Sequence, residues 1–107
     1  MISTHVLDTS RGEPAADINV QLEIHDGSSW KTLSKSQSSP DGRVVFNAAA
    51  LAGTYRLSFE TDAYFARLKQ ESFFPNPSIV FNVININRNY HVPLLLNPFG
   101  YSTYRGS

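Results

Sequence analysis

The sequence predicts an all-β fold, a two-layer antiparallel sandwich of about eight strands with one short helix. Three observations predict it. Apolar and polar residues alternate with the two-residue period of strands along most of the chain. Turn signals separate these runs at short intervals, and a single segment has the period of a helix. Many short strands with one small helix favour two packed sheets, and 107 residues fit a single domain, 1–107.

The predicted strands run the length of the chain. In the second strand Val20, Leu22 and Ile24 alternate with polar residues, which places the apolar side chains on one face. Residues 79–86 are rich in β-branched side chains, so this strand is expected to be more buried. Pro93 lacks a backbone donor, which predicts a sheet edge or a bulge there. In chain order the predicted strands cover residues 2–9, 20–25, 30–36, 43–47, 55–60, 79–86, 90–96 and 101–105.

Turns and one helix connect the strands. An Asp-Gly pair at 26–27 ends the second strand, and Pro-Asp-Gly at 40–42 predicts a tight reversal before the fourth. Pro-Asn-Pro at 75–77 and Asn-Pro at 97–98 break the chain before later strands. Thr61 or Asp62 is expected to cap a two-turn helix that runs through Lys69, with one side formed by Tyr64, Phe65 and Leu68.

Composition excludes several classes of function. Nine basic and nine acidic residues balance and are scattered, so neither nucleic acid nor an anionic membrane surface is expected as a partner. The absence of cysteine removes disulfides, thiolate catalysis and Cys-based metal sites. No secretory signal and no run of about 20 apolar residues is visible, which predicts a soluble protein of the cytoplasm.

Three histidines could carry chemistry, although a lone histidine in a strand is more often structural. His5 shares its strand face with Leu7, whereas Asp8 has the opposite parity and is not expected to orient it. His91 lies opposite an apolar face and therefore points away from the core. His25 stands at a strand end and is expected to be a surface residue. No pair has a short metal-ligand spacing, so a metal site is not predicted.

Arg43 and the C-terminal tail complete the candidate set. Arg43 follows a turn, where a solvated arginine is common, but its planar guanidinium could also hold a carbonyl-rich substrate. Tails usually fray, yet aromatic residues continue here through Tyr104. This pattern predicts a tail that docks as a strand and presents the hydroxyl and α-carboxylate of Ser107 at a fixed place.

These residues carry a resemblance to a known family. His-Val-Leu-Asp at 5–8, with Gly12, Pro14 and Ala15, resembles the opening motif of transthyretin-like proteins. The segment 90–107, from Tyr-His-Val-Pro-Leu to Tyr-Arg-Gly-Ser, resembles their closing motif. A terminal Tyr-Arg-Gly-Ser together with His5, Arg43 and His91 is typical of the 5-hydroxyisourate hydrolase branch. The resemblance covers the whole chain.

The resemblance implies an enzyme of urate degradation. Its substrate would be the small molecule 5-hydroxyisourate, whose six-membered lactam ring is hydrolysed to 2-oxo-4-hydroxy-4-carboxy-5-ureidoimidazoline without a cofactor. It also implies a homotetramer, a dimer of dimers, with active sites in a channel between subunits. The implied catalytic set is His5, Arg43, His91 and Ser107, and the implied substrate-binding set adds Tyr104, Arg105 and Gly106.

The side chains of the implied site fit the chemistry of the reaction. Amide hydrolysis needs an activated water and a donor for the developing oxyanion, which histidine and arginine supply.

The sequence differs from the family pattern at two positions: family members commonly have His in place of Asn89, and many have Ser in place of Asn97. These differences predict changed pocket detail with activity retained. The alternative is a transthyretin-type carrier of small aromatic ligands, but such carriers typically have Lys at position 5 and lack the terminal Arg-Gly-Ser. A β-sandwich scaffold would not explain the aromatic tail.

Overall fold

The computed structural model describes residues 1–47 and 51–107, which contain ten strands and one helix. In chain order they are β1 (Ile2–Asp8), β2 (Glu13–Pro14), β3 (Asn19–His25), β4 (Trp30–Gln37), β5 (Arg43–Phe46), β6 (Gly53–Phe59), α1 (Thr61–Arg67), β7 (Ser78–Val83), β8 (Tyr90–His91), β9 (Leu94–Asn97) and β10 (Gly100–Thr103). All eight predicted strands are present. The extra elements are the short β2 and a division of the predicted strand 90–96.

Two sheets form the sandwich, and the predicted all-β architecture is confirmed. A four-stranded sheet has the order β4-β3-β6-β7 and is antiparallel throughout. The six-stranded sheet is built around β1, which pairs with β2 and β5 on one side and with β8 and β9 on the other. Strands β8 and β9 run parallel to β1, so the prediction of purely antiparallel sheets is wrong for this layer. Alternation fixes the face of each residue but not the direction of its neighbouring strand.

Alternating apolar residues fill the space between the sheets. In β3, Val20 and Leu22 are at most 1% exposed, and in β6 the same holds for Tyr55, Leu57 and Phe59. These side chains belong to one cluster of buried residues that also includes the even-numbered apolar residues of β1. Burial at about 25 cal/mol per Å² of apolar surface makes this cluster the main source of folding free energy.

The predicted strand 90–96 is interrupted at Pro93. The chain pairs with β1 as β8, keeps one hydrogen bond to β1 from the Val92 N–H to the Ser3 carbonyl at 2.8 Å, and pairs again as β9 after Pro93. Because Pro93 has no N–H group to donate, the gap costs the sheet no hydrogen bond at that position. The predicted inward face is confirmed, since four side chains are at most 7% exposed: Tyr90, Val92, Leu94 and Leu96.

The helix cap differs from the prediction. The residue that precedes α1 is Glu60, and it makes no side-chain capping hydrogen bond, so capping by Thr61 or Asp62 is wrong. The backbone N–H of Asp62 donates instead to the side-chain oxygen of Asn76 at 3.0 Å. A residue 14 positions away thus satisfies a free N–H of the first turn, which short-range patterns cannot reveal.

Two predictions about burial also need correction. Tyr64 and Phe65 are buried as expected, but α1 ends before Leu68, which is 37% exposed. The strand predicted over 79–86 was expected to be more buried, but β7 ends at Val83 and leaves Val80 56% exposed. Val80 lies on the outer face of the four-stranded sheet, which no other layer of the chain covers. Among the residues described, no helix is long and apolar enough to cross a membrane.

Candidate active site

The outer face of the six-stranded sheet carries the predicted histidines. Along β1 the even-numbered residues are buried, while Ser3, His5 and Leu7 are half-buried on the opposite face. The parity predicted for His5 is therefore confirmed. Asp8 faces the core, is 1% exposed, and accepts a hydrogen bond from the Tyr64 hydroxyl at 2.7 Å. It does not orient His5.

A tight turn brings Arg43 directly opposite His5 in the register of β1 and β5. Gly42 has a φ of +82°, and a β-carbon there would lie 2.4 Å from the carbonyl oxygen of Val6. Glycine is required because both the left-handed backbone and this close approach exclude a side chain. The Val6 N–H group donates to the Gly42 carbonyl at 2.7 Å and fastens the turn to β1. The reversal predicted at 40–42 is confirmed.

The same turn orients the ring of His5. Its Nε2 lies 2.8 Å from the main-chain carbonyl oxygen of Asp41. A carbonyl only accepts hydrogen bonds, so Nε2 carries the proton and Nδ1 of neutral His5 has a free lone pair. The Asp41 carboxylate lies 3.5 Å from Nε of Arg43. The Ser39 hydroxyl, followed by Arg43 and His5, lowers the pKa of Asp41.

His91 lies on the other side of β1, opposite Ser3 in register. Its Nδ1 is 2.8 Å from the Ser3 hydroxyl. Neighbouring strands are about 4.8 Å apart and residues i and i+2 about 6.6 Å apart, so the β-carbons of His5 and His91 are separated by roughly 8 Å. Burial, together with the nearby Arg43 and His5, lowers the pKa of His91. The lowered pKa favours the neutral ring.

The C-terminal tail returns to His91, as predicted for a docked tail. Gly106 pairs with His91 as an isolated antiparallel bridge, and its N–H group donates to the His91 carbonyl at 2.8 Å. A β-carbon on Gly106 would lie 2.4 Å from Cδ2 of His91. The tail backbone thus lies directly against the imidazole. Ser107, the next residue, is exposed at the end of this pairing.

The tail does not bring all its predicted site residues to the histidines. The Arg105 guanidinium lies 4.8 Å from the centre of the Tyr90 ring, and Tyr90 points into the core, opposite to His91. Tyr104 is 57% exposed. Both residues border a cavity of about 210 Å³ that reaches His91 from the side of β7. Their contact with substrate stays a prediction.

Two participants were missed from the sequence. The Ser3 hydroxyl shares the parity of His5 two residues later, so strand alternation could have placed it on the same face, although not beside His91. The carbonyl of Asp41 carries no signal of its own, because every residue has a backbone carbonyl.

His25, predicted to be a surface residue, is exposed and packs edge-on against Trp30. Asn89 is exposed, and Asn97 accepts from the N–H group of Phe99 in the β9–β10 turn at 2.9 Å.

Other parts of the described chain offer less chemistry. A larger cavity of about 730 Å³ lies on the four-stranded sheet and is lined mainly by polar residues, among them Gln21, Lys35 and Asn76. It is remote from the histidines, and its lining has neither imidazole nor guanidinium. Within residues 1–47 and 51–107, no cluster of three or more His, Cys, Asp or Glu side chains could hold a metal ion.

Comparison with known proteins gives similarities over the full chain. The family model described as HIUase/Transthyretin family matches residues 2–106. A 5-hydroxyisourate hydrolase of Salmonella dublin is 41% identical over 100% of this chain and 81% of its own length. The solved structure of Klebsiella pneumoniae 5-hydroxyisourate hydrolase is 40% identical with a TM-score of 0.86, covering 99% of this chain and 98% of its own. Sea bream transthyretin, solved with thyroxine, has a TM-score of 0.90 at 24% identity, covering 98% and 93%. The last similarity concerns the fold alone.

Proposed function

This chain belongs to the HIUase/transthyretin family, and we propose that it hydrolyses 5-hydroxyisourate in urate degradation, using the outer face of the six-stranded sheet. It is a hydrolase, as are its relatives named 5-hydroxyisourate hydrolase at 37–42% identity. One observation supports the site above all others. Two imidazoles, a guanidinium and the chain end converge on one sheet face, although they come from β1, β5, β8 and the tail.

His5 is the proposed general base. Because its Nε2 donates to the Asp41 carbonyl, the lone pair on Nδ1 is free to take a proton from water. The resulting imidazolium keeps the same hydrogen bond, so the ring need not turn during the reaction. The hydroxide equivalent attacks the lactam carbonyl, and the ring C–N bond breaks as the nitrogen receives a proton.

Arg43, His91 and the tail assist this step in our proposal. Arg43 opposes the negative charge that develops on the carbonyl oxygen. His91, whose lowered pKa favours its neutral form, exchanges a proton or hydrogen bond with the reacting ring. Ser107 orients water or a histidine through its hydroxyl or carboxylate. Three further residues shape the substrate-binding pocket: Tyr104, Arg105 and Gly106.

We also propose that the active sites lie between subunits of a homotetramer, a dimer of dimers. The outer face is open in the single chain: Val45, which shares this face with Arg43, is 55% exposed. The edge strands β7 and β10 carry further exposed apolar groups, including Val80 and Tyr101 at 56% and 40%. Sedimentation velocity should give four times the chain mass of 11.9 kDa. The proposal includes a cytoplasmic location and a single domain over 1–107.

The decay of 5-hydroxyisourate tests the function. Urate and a urate oxidase generate the compound, and its absorbance band should vanish faster in the presence of this protein than spontaneously at neutral pH. We expect slower decay with each of four variants: His5→Ala, Arg43→Ala, His91→Ala and deletion of Ser107. For the two histidines, which handle protons in the proposal, the rate should fall by at least about 100-fold. His25→Ala serves as the matched histidine control, because His25 is exposed at a strand end on the other sheet. Binding of aromatic ligands without any acceleration would instead support a transthyretin-type carrier.

A further inference from the structure

We propose that Ser3 is a positioning residue for this reaction: its hydroxyl fixes His91 in the tautomer that presents an N–H group to the substrate. The inference rests on the hydrolase function proposed above. It starts from a single contact, the 2.8 Å distance between Ser3 Oγ and His91 Nδ1. No other side-chain hydrogen bond of Ser3 occurs among the residues described, so its proton has one protein acceptor.

The direction of this hydrogen bond decides the tautomer. A neutral imidazole has one N–H donor and one lone-pair acceptor, whereas a serine hydroxyl can serve as either. If Nδ1 carried the proton, the half-buried Ser3 hydroxyl would accept and its own proton would have no protein partner. If the hydroxyl donates to Nδ1, both groups are satisfied and the His91 proton stays on Nε2.

The surroundings of the ring leave only one edge for substrate. Ser3 occupies the Nδ1 side, and the Gly106 backbone lies against Cδ2, where a β-carbon would approach to 2.4 Å. On the remaining edge, Nε2 makes no hydrogen bond with any residue that the structure describes. His91 therefore presents a donor, while His5 presents the free acceptor Nδ1. One imidazole is set to take a proton and the other to donate a hydrogen bond.

The charges around His91 favour its neutral form. His5 faces it from β1 and Arg43 from β5. Burial together with Arg43 and His5 lowers the pKa of His91. This shift favours the neutral ring, in which the hydrogen bond from Ser3 selects the tautomer.

The test combines nitrogen NMR with kinetics. Histidine labelled with ¹⁵N distinguishes the two ring nitrogens, so the neutral tautomer of His91 can be read in the unmodified protein above its pKa. We expect the proton on Nε2 and a Nδ1 resonance shifted by hydrogen bonding. Ser3→Ala should abolish that shift and lower kcat about three- to tenfold with KM unchanged. Ser3→Thr, which retains the hydroxyl, should restore both.

Thr4→Val is the matched control. The Thr4 hydroxyl donates to the Val92 carbonyl at 2.6 Å on the core side of the same strand, so its loss should destabilise the fold but leave the His91 resonances unchanged. A neutral His91 with its proton on Nδ1, or full kcat in Ser3→Ala, would overturn the proposal. The tautomer measurement needs no substrate and no variant. Lack of hydrolysis by the unmodified protein would therefore refute the function without deciding the assignment of Ser3.

Discussion

Gly106→Ala offers a sharp test of how the chain end contributes to the site. Gly106 lies against Cδ2 of His91, and its N–H group donates to the carbonyl of the same residue. Its φ does not lie in the left-handed region, so alanine is compatible with the backbone conformation. The substitution therefore adds one methyl group at the imidazole and changes little else.

The size of the effect follows from the overlap. The new β-carbon would lie 2.4 Å from His91 Cδ2, where ordinary contacts begin at 3.4 Å. Either the ring or the tail must move by about 1 Å, and a displacement of this size in a catalytic group can cost about 100-fold in rate. We expect kcat/KM to fall by about 10- to 100-fold, equivalent to about 1.4–2.7 kcal/mol of transition-state stabilisation. The loss of one hydrogen bond would cost stability only about 1 kcal/mol.

Decay of 5-hydroxyisourate measures the rate, and urea denaturation measures the stability. Gly100→Ala is the control, since a β-carbon there would come no closer than 3.9 Å to any group and the backbone is again unstrained. Unchanged kcat/KM in Gly106→Ala would refute the inference that the tail backbone positions His91. Equal losses in the two glycine variants would show that tail substitutions act through association or folding instead.

Three more predictions concern charge and burial. Glu23→Gln should lower the free energy of unfolding by about 1.5–3 kcal/mol in urea denaturation, because it weakens the bidentate ion pair with Arg56. Folding lowers the pKa of Glu23, so in the unmodified protein this stabilisation should be lost as pH falls below 4.5. Asp8→Asn should cost about 1–3 kcal/mol by the same measurement, since an amide cannot accept every bond that the buried carboxylate accepts. Arg43→Gln should raise the pKa of His91 in an NMR titration, because a nearby positive charge is removed, and no rise would contradict the geometry.

Strand alternation predicted the faces of this fold better than its pairing. Parity correctly assigned His5 and Asp8 to opposite faces of β1, because side chains alternate in any strand regardless of its neighbours. It could not show that β8 and β9 run parallel to β1, since that direction depends on where the chain crosses between sheets. The exposure of β7 was missed for a different reason. Its β-branched composition is typical of a strand covered on both faces, but its outer face, which carries Val80, is uncovered.

The candidate site was predictable as a set of residues but not as an arrangement. Resemblance supplied His5, Arg43, His91 and the tail, and the structure brings these groups to one face. The partners that fix the ring orientations were not found. The Asp41 carbonyl is a backbone group, and Ser3 becomes meaningful only once β8 is known to lie beside β1. Such partners depend on strand neighbours, which the sequence pattern leaves open.

The division of β1 into two faces explains how one scaffold can serve different functions. Its even-numbered residues hold the core, and its odd-numbered residues supply the polar groups of the candidate site. Substitutions on the outer face can therefore change chemistry without removing core contacts. Ser3→Ala and Thr4→Val test this separation, because Ser3 lies on the outer face and Thr4 on the core face. Sea bream transthyretin keeps this fold at a TM-score of 0.90 with only 24% identity. Similarity of fold consequently says little about catalysis in this family, and the outer face must be read residue by residue.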